Sequence, residues 1–224
     1  MINLPNVTLF CISSNKVQDA IKVLQYSMRG INFGAVKLIT HEDPGNLPED
    51  IEFSKCYEIK SIHDYNYYCL YNLTNHIDTD YCLLIQPDGF VINPEQWDDD
   101  WFNYDYIGAP WALADDAYLD PWGKSHRVGN GGFSFRSKKL LDVPKHAYIH
   151  FDVNWGDFYK HMGVGFTSED GNICVHNRHI YEALGCKIAP LEVAARFSHE
   201  RPLPETQGIK PFGFHFFLPE GTKL

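Results

Sequence analysis

Short apolar runs alternating with amphipathic stretches set the pattern of this chain. Val7 to Ile12 is a β-rich run, and Ser13-Ser14-Asn15 behind it supplies helix-capping chemistry. From Lys16 to Met28 the positions Ala20, Val23, Leu24 and Ser27 share one face at helical spacing, with Gly30 beyond the predicted end. Ala35 to Thr40 reads as a second strand. Strand–helix–strand implies parallel pairing with a right-handed crossover. A polar loop rich in Pro and Gly, His41 to Asp50, leads to a short third strand, Lys55 to Ile59. Asp64 to Ile77 reads as a tyrosine-dense helix capped by Ser61 or Asp64.

That helix feeds the stretch around which the chain is organised, Asp80 to Gly89. Tyr81 to Ile85 is a run short enough to be a strand buried on both faces, and Gln86-Pro87-Asp88-Gly89 breaks it at once. Pro87 cannot donate to a sheet ladder, so the strand ends at Gln86 and Asp88 lies at its carboxyl end. Ligands of open α/β sheets bind there, on the same sheet edge as the loop from Ser13 to Lys16. A carboxylate in that place suits a hard cation that bridges to phosphate. A plain Pro-Asp-Gly turn accounts for the same tripeptide.

Beyond Gly89 the pattern is less regular. Phe90 to Pro94 is extended and Pro94 to Asp100 a helical turn, with Asp98 to Asp100 a solvated helix end. Tyr104 to Trp111 precedes a polar loop, Ala112 to Arg127. Val128-Gly129-Asn130-Gly131-Gly132 then allows close backbone approach to a ligand, and the alternation at Phe133 to Arg136 is strand-like. A helix starts at Ser137. His150 to Phe166 is aromatic and irregular. Thr167-Ser168-Glu169-Asp170 is a hydroxyl-capped acidic helix start, and the predicted helix runs to Leu184 with Gly185 as its stop. Cys186 to Pro190 reads as a strand, continued in extended form from Val193 to Phe197.

With no repeats or linker, 224 residues make one α/β domain. A net charge of −10 argues against a general nucleic-acid binder and against docking on anionic lipid. Such an acidic chain still accommodates a nucleotide when a divalent cation neutralises the diphosphate. The six cysteines form no Cys-x-x-Cys pair and read as buried hydrophobes of a reducing compartment. No apolar run approaches the roughly 18 residues of a membrane span, and the start carries no signal-peptide pattern, so the expected location is cytoplasmic.

The motifs in order are Gln-x-Asp-Gly at 86–89, Tyr-Asp-Tyr-Ile-Gly-Ala-Pro-Trp at 104–111, and Gly-Asn-Gly-Gly-Phe-Ser-x-Arg-Ser at 129–137. Glu169-Asp170 before Ile173-Cys174, Ala189-Pro190 before Val193-Ala194 and Arg196-Phe197-Ser198, and Phe212-Gly213-Phe214-His215 follow. Together they resemble a group of bacterial and fungal proteins of glycosyltransferase type. The resemblance implies a GT-A-like fold, a Rossmann-like nucleotide-binding mixed sheet flanked by helices. Residues 1–89 would form the nucleotide-binding half and 90–224 the acceptor and catalytic half.

It further implies transfer of a sugar from a nucleotide-sugar donor to a glycan or lipid-linked acceptor, in carbohydrate biosynthesis. Asp88 takes the place of the metal carboxylate and His215 that of a late metal histidine, for Mn²⁺ or Mg²⁺. Gln86 stands where such enzymes carry a first acid, Pro87 where an aromatic residue is usual, and Tyr65-Asn66-Tyr67 where Tyr-Ser-Arg is usual. Those departures keep open a non-catalytic binder of sugars or nucleotide sugars on the same scaffold. Ser13, Ser14, Tyr65, Gln86, Asp88, Asn130, Gly131 and Gly132 are the expected donor contacts. An acceptor hydroxyl needs a base, for which Asp170 is the first candidate and Glu169 the second; inversion is the expected outcome. The same acids would also serve simply to stabilise a helix start. Trp111, Trp122 and Trp155 are candidate sugar platforms, Trp111 first, although a tryptophan is as readily core. Arg136 and Arg196 are phosphate contacts or partners of nearby acids.

Overall fold

The computed structural model describes residues 1–113, 118–151 and 168–219. Strand β1 (Ile2–Ile12) runs into helix α1 (Val17–Ser27), which returns the chain to β2 (Ile31–Thr40), parallel to β1. Strand β3 (Glu52–Lys55) extends the sheet beyond β2, also in parallel. After α2 (Ile62–Tyr71), β4 (Tyr81–Ile85) pairs with β1 from the opposite side, in register Cys11 to Ile85. Strands β5 (Tyr106–Gly108) and β6 (Ser134–Ser137) are antiparallel additions, giving the order β3-β2-β1-β4-β6-β5. This is the mixed, helix-flanked sheet that the sequence led us to expect.

Alternation along the central strands builds two cores. Phe10, Ile12, Cys82 and Leu84 pack with Tyr68, Cys69 and Leu70 of α2 on one face. Leu9, Cys11, Leu83 and Ile85 pack with Ala20, Val23 and Leu24 of α1 on the other. Each such side chain contributes about 1.5–3 kcal/mol when fully withdrawn from water, so β1 and β4 are the best-anchored part of the molecule. Helix α1 lacks a side-chain cap at Lys16, but the Lys16 N–H donates to Ser13 Oγ at 3.0 Å. Ser61 caps α2, accepting from the Asp64 N–H.

Helix α3 (Lys138–His146) is capped by Ser137 as its sequence suggested. The predicted helix from Thr167 to Leu184 is broken up instead, and Thr167 lies outside the described residues. A single turn, α4 (Glu169–Gly171), leads into a wide turn at Asn172–His176 and then α5 (Arg178–Ala183). Asn172 causes the break: its side-chain amide donates to the His150 carbonyl at 2.7 Å, and its carbonyl accepts from the Asn177 N–H five residues on. Gly185 ends α5 with φ +79°, as expected.

The third strand, the end of α2 and one element type differ from expectation, and among the described residues the expected strand from Cys186 to Pro190 makes only a single bridge, Ile188 to Tyr106. The third strand lies at Glu52–Lys55 rather than Lys55 to Ile59, and α2 stops at Tyr71, followed by a 3₁₀ turn at Leu73–His76. Val193 to Phe197 belongs to a helix, α6 (Leu191–Phe197), started by Pro190 and filled by two buried alanines. Alanine favours helix and a five-residue apolar run has no decisive period, which is why the segment read as extended. Strand β7 (Ser198–His199) then pairs in parallel with β8 (Gly213–Phe214). All six cysteines are buried and free, and among the described residues no helix is long and apolar enough to cross a membrane.

Leu84 is fully buried at the centre of this arrangement. Leu84→Ala should cost about 2–5 kcal/mol in urea unfolding, and a loss below about 1 kcal/mol would contradict its place in the core.

Candidate active site

Because β2 lies on one side of β1 and β4 on the other, the sheet divides at the carboxyl ends of β1 and β4, the position where α/β sheets hold ligands. Ser13 and Ser14 leave β1 there. Ser13 Oγ fixes the start of α1, and Ser14 Oγ accepts from the Ile59 N–H at 2.9 Å. Both hydroxyls thus hold the loop in shape. Across from them Gln86 and Gly89 exchange two backbone hydrogen bonds of 2.9 Å. The tripeptide is therefore a tight turn, and its Asp88 side chain is about half exposed, 53%. The Pro-Asp-Gly turn is therefore present, and it leaves the Asp88 carboxylate in solvent reach.

His215 reaches this turn from the other end of the chain. Its N–H donates to the His199 carbonyl at 2.8 Å, and the Phe216 N–H donates to the Asp88 carbonyl at 2.7 Å. The imidazole Nε2 lies 3.2 Å from Gln86 Oε1 and 3.8 Å from Asp88 Oδ1. Gln86 is oriented by Tyr65, whose hydroxyl accepts from Gln86 Nε2 at 2.8 Å. Such an approach requires glycine at two positions. A Cβ on Gly132 would lie 2.1 Å from His215 Nε2, and one on Gly89 2.9 Å from His215 Cδ2.

These donors fit a divalent ion. The Asp88–His215 separation is too long for a hydrogen bond but lies in the range of roughly 3–4 Å between two ligands of one ion. Burial holds the His215 pKa below its usual value, against the opposing pull of Asp88 and Glu169, so the neutral imidazole offers a lone pair. The buried Nδ1 has no hydrogen-bond partner and faces Glu200 Oε1 at 3.9 Å. With the proton on Nδ1, Nε2 would offer, with an Asp88 oxygen and the Gln86 side-chain Oε1, a mixed oxygen and imidazole set. Among the described residues no third His, Cys, Asp or Glu completes it. Remaining positions would fall to water and phosphate oxygens, as is usual for Mg²⁺.

The acidic pair divides into two unlike groups. Glu169 is buried and receives Arg136 Nη2 at 2.7 Å, and Arg136 is itself fully buried. Removing one member of such a pair typically costs about 3–5 kcal/mol. Glu169, the second candidate base, is thus held in an ion pair, and Arg136 is the cation that holds it. Arg196 likewise pairs with Asp98, at 2.7 Å. Asp170 behaves differently. Its two oxygens accept the Gly131 N–H at 2.9 Å and the Gly171 N–H at 2.7 Å. Burial first, and the Glu169 charge second, nevertheless raise its pKa to about 6.

A further acid joins them that the sequence reasoning passed over. Glu200 follows β7, next to His215, which follows β8. Burial first, and the charge of Asp170 second, raise its pKa to about 7, with the Asn130 side chain acting against that rise. Asn130 is almost wholly buried, and its Oδ1 has no partner. The available signal was an acid directly after the Arg-Phe-Ser motif; the two-residue ladder that aims it is too short to read from sequence.

Trp111 is buried, stacked on Tyr118 with 4.4 Å between centroids, and packed so closely over Gly129 that a Cβ there would clash. Trp122 is exposed and meets His179 edge-on at 4.6 Å. Trp155 lies outside the described residues. A cavity of about 380 Å³ lined by Tyr67, Tyr71, Tyr148 and Phe151 is separate from the Asp88–His215 cluster.

A family model described as "Protein of unknown function (DUF5672)" matches residues 49–215. No curated protein matches the sequence. Among solved structures the chain resembles the galactosyltransferase LgtC in complex with donor and acceptor sugar analogs, at 12% identity and a TM-score of 0.54, covering 95% of this chain and 87% of that one. It also resembles a glycosyltransferase involved in glycosylation of the major capsid of PBCV-1, at 14% identity and a TM-score of 0.50, covering 97% and 94%. These likenesses establish a GT-A glycosyltransferase fold for the chain.

The raised pKa of Asp170 has a definite sign in stability. The folded state favours its neutral form, so the group's contribution is whole below its ordinary pKa of 3.8 and lost as pH rises through about 6. Asp170→Asn stays neutral throughout. Urea unfolding of both proteins, in chelator, at about pH 4.5 and about pH 7.5 should show wild type losing stability relative to the variant at the higher pH. A difference that does not change with pH would contradict the assignment.

Proposed function

The chain belongs to the DUF5672 family, and we propose that this member is a glycosyltransferase that moves a sugar from a nucleotide-sugar donor to a glycan or lipid-linked acceptor, with inversion and with Mn²⁺ or Mg²⁺. The observation that carries the reading is the convergence of Asp88, Gln86, His215 and Asp170's neighbour Gly131–Gly132 where the sheet divides. The GT-A fold supports it at the level of architecture.

In this reading Ser13, Ser14 and Tyr65 lie on the nucleotide side, and Asp88, His215 and Gln86 Oε1 hold the ion. Bound there, the ion would offset the charge that collects on the departing diphosphate. Asn130 and the backbone of Gly131 and Gly132 line the transferred sugar. The acceptor hydroxyl gives its proton to Asp170, its oxygen bonds to the anomeric carbon, and the anomeric carbon–phosphate oxygen bond breaks with its electron pair leaving on the nucleoside diphosphate. A pKa near 6 leaves Asp170 largely ionised at neutral pH while keeping it a stronger base than an ordinary aspartate. Arg136 compensates the neighbouring Glu169 charge, so that Asp170 alone exchanges the proton. Gln86 in place of the first acid favours a competing reading, a binder of nucleotide sugars without transfer.

Thermal shift with nucleoside diphosphates and nucleotide sugars, each with and without Mn²⁺, tests the site because a ligand of the folded state raises its stability by mass action. One nucleotide family should give a shift that Mn²⁺ enlarges, and Asp88→Ala should remove the Mn²⁺ increment while leaving the unliganded midpoint nearly unchanged. No shift with any nucleotide would overturn the proposal. Binding without sugar transfer over a broad acceptor panel would favour the competing reading.

A further inference from the structure

Glu200 has no part in the chemistry outlined above, yet five observations place it inside the site. The β7–β8 pairing, His199 to Phe214, fixes the two residues that follow, Glu200 and His215, next to each other at 3.9 Å. The Asn130 side chain and the charge of Asp170 both act on its carboxylate. Burial first, and the charges of Glu200 and Asp170 after it, raise the pKa of the Tyr118 phenol, so the two acids lie within electrostatic reach of it. The region is rich in acceptors: the Glu200 oxygens, and an Asn130 Oδ1 that is buried with no donor. A buried acceptor without a donor is costly, and a ligand hydroxyl can supply the missing donor.

We propose that Glu200, together with Asn130 Oδ1, is the hydroxyl-recognition element for the transferred sugar and determines which hexose the site accepts. The inference rests on the nucleotide-sugar reading. A sugar is the ligand class that supplies several adjacent O–H donors, and two acceptors on neighbouring segments can engage two of its hydroxyls at once. The phosphate groups themselves supply acceptors only and would gain nothing from Glu200 or Asn130 Oδ1. Glu200 therefore discriminates between donor sugars, and between a nucleotide sugar and its free diphosphate.

Isothermal titration in the presence of Mn²⁺ tests this, with UDP, GDP and their hexose and N-acetylhexosamine conjugates as probes against wild type, Glu200→Gln and Glu200→Asp. A charge-assisted hydrogen bond corresponds to roughly 10- to 100-fold in affinity. Glu200→Gln should lose about that factor for the preferred nucleotide sugar, keep its affinity for the bare diphosphate within about twofold, and flatten the preference among sugars. Glu200→Asp should recover part of the loss. Equal affinities of wild type and Glu200→Gln for every nucleotide sugar, with the diphosphate still bound, would overturn the Glu200 assignment alone. A parallel loss for sugar and diphosphate would also overturn it, by making Glu200 a support for His215. Wild type that binds no diphosphate would overturn the nucleotide-sugar reading and this inference with it.

Discussion

His215 and the end of β4 come within hydrogen-bonding range only because two glycines, Gly89 and Gly132, leave the space that the imidazole occupies. Each sits on a separate segment, the turn after β4 and the loop before β6, and the histidine arrives on a third. Any side chain at Gly132 would displace His215, and with it the link between Asp88, Gln86 and the C-terminal ladder. Packing of this kind is steric first and chemical second. The surrounding core of β1 and β4, closed on both faces by α1 and α2, holds these segments rigidly enough for the contacts to be specific.

Electrostatics then sorts the acids that the same packing brings together. Glu169, Asp170 and Glu200 lie close in an acidic protein, and their environments push them apart in character. Arg136, fully buried, is tied to Glu169, to Ser134 and to the Gly131 carbonyl, so one acid is neutralised and the Gly-rich loop is fixed by the same guanidinium. Among the described residues Asp170 and Glu200 form no such buried ion pair with a cation, and burial makes both hold their protons to higher pH. Paired groups with separated proton affinities are a common feature of acid–base sites, which links the fold of this loop to its proposed chemistry.

Much of this was legible in the residues. The strand–helix–strand start, the buried five-residue strand and the break at Gln86 placed the crevice, because apolar period and turn chemistry are local properties. Asp88, Asn130 and the acidic turn at 169–170 followed from motif order. What escaped has long-range causes. Glu200 owes its place to a ladder of two residues and to a partner strand beyond a loop. Arg136 looked like a strand arginine with two possible partners until burial decided between them. Val193 to Phe197 was too short to reveal its period, and Asn172 bends its helix through a carbonyl more than twenty residues away. Trp111 carried the right residue type for a sugar platform, but Tyr118 covers its face.

The central claim is that the crevice between the ends of β1 and β4 holds a diphosphate through an ion on Asp88 and His215. A crystal structure with a nucleoside diphosphate and Mn²⁺ tests it most directly, using the anomalous signal of manganese. The account predicts one anomalous peak between the Asp88 carboxylate and His215 Nε2, with the diphosphate on the same ion and the nucleoside toward Ser13 and Ser14. Manganese or nucleotide bound elsewhere, with the Asp88–His215 pair unchanged, would contradict it.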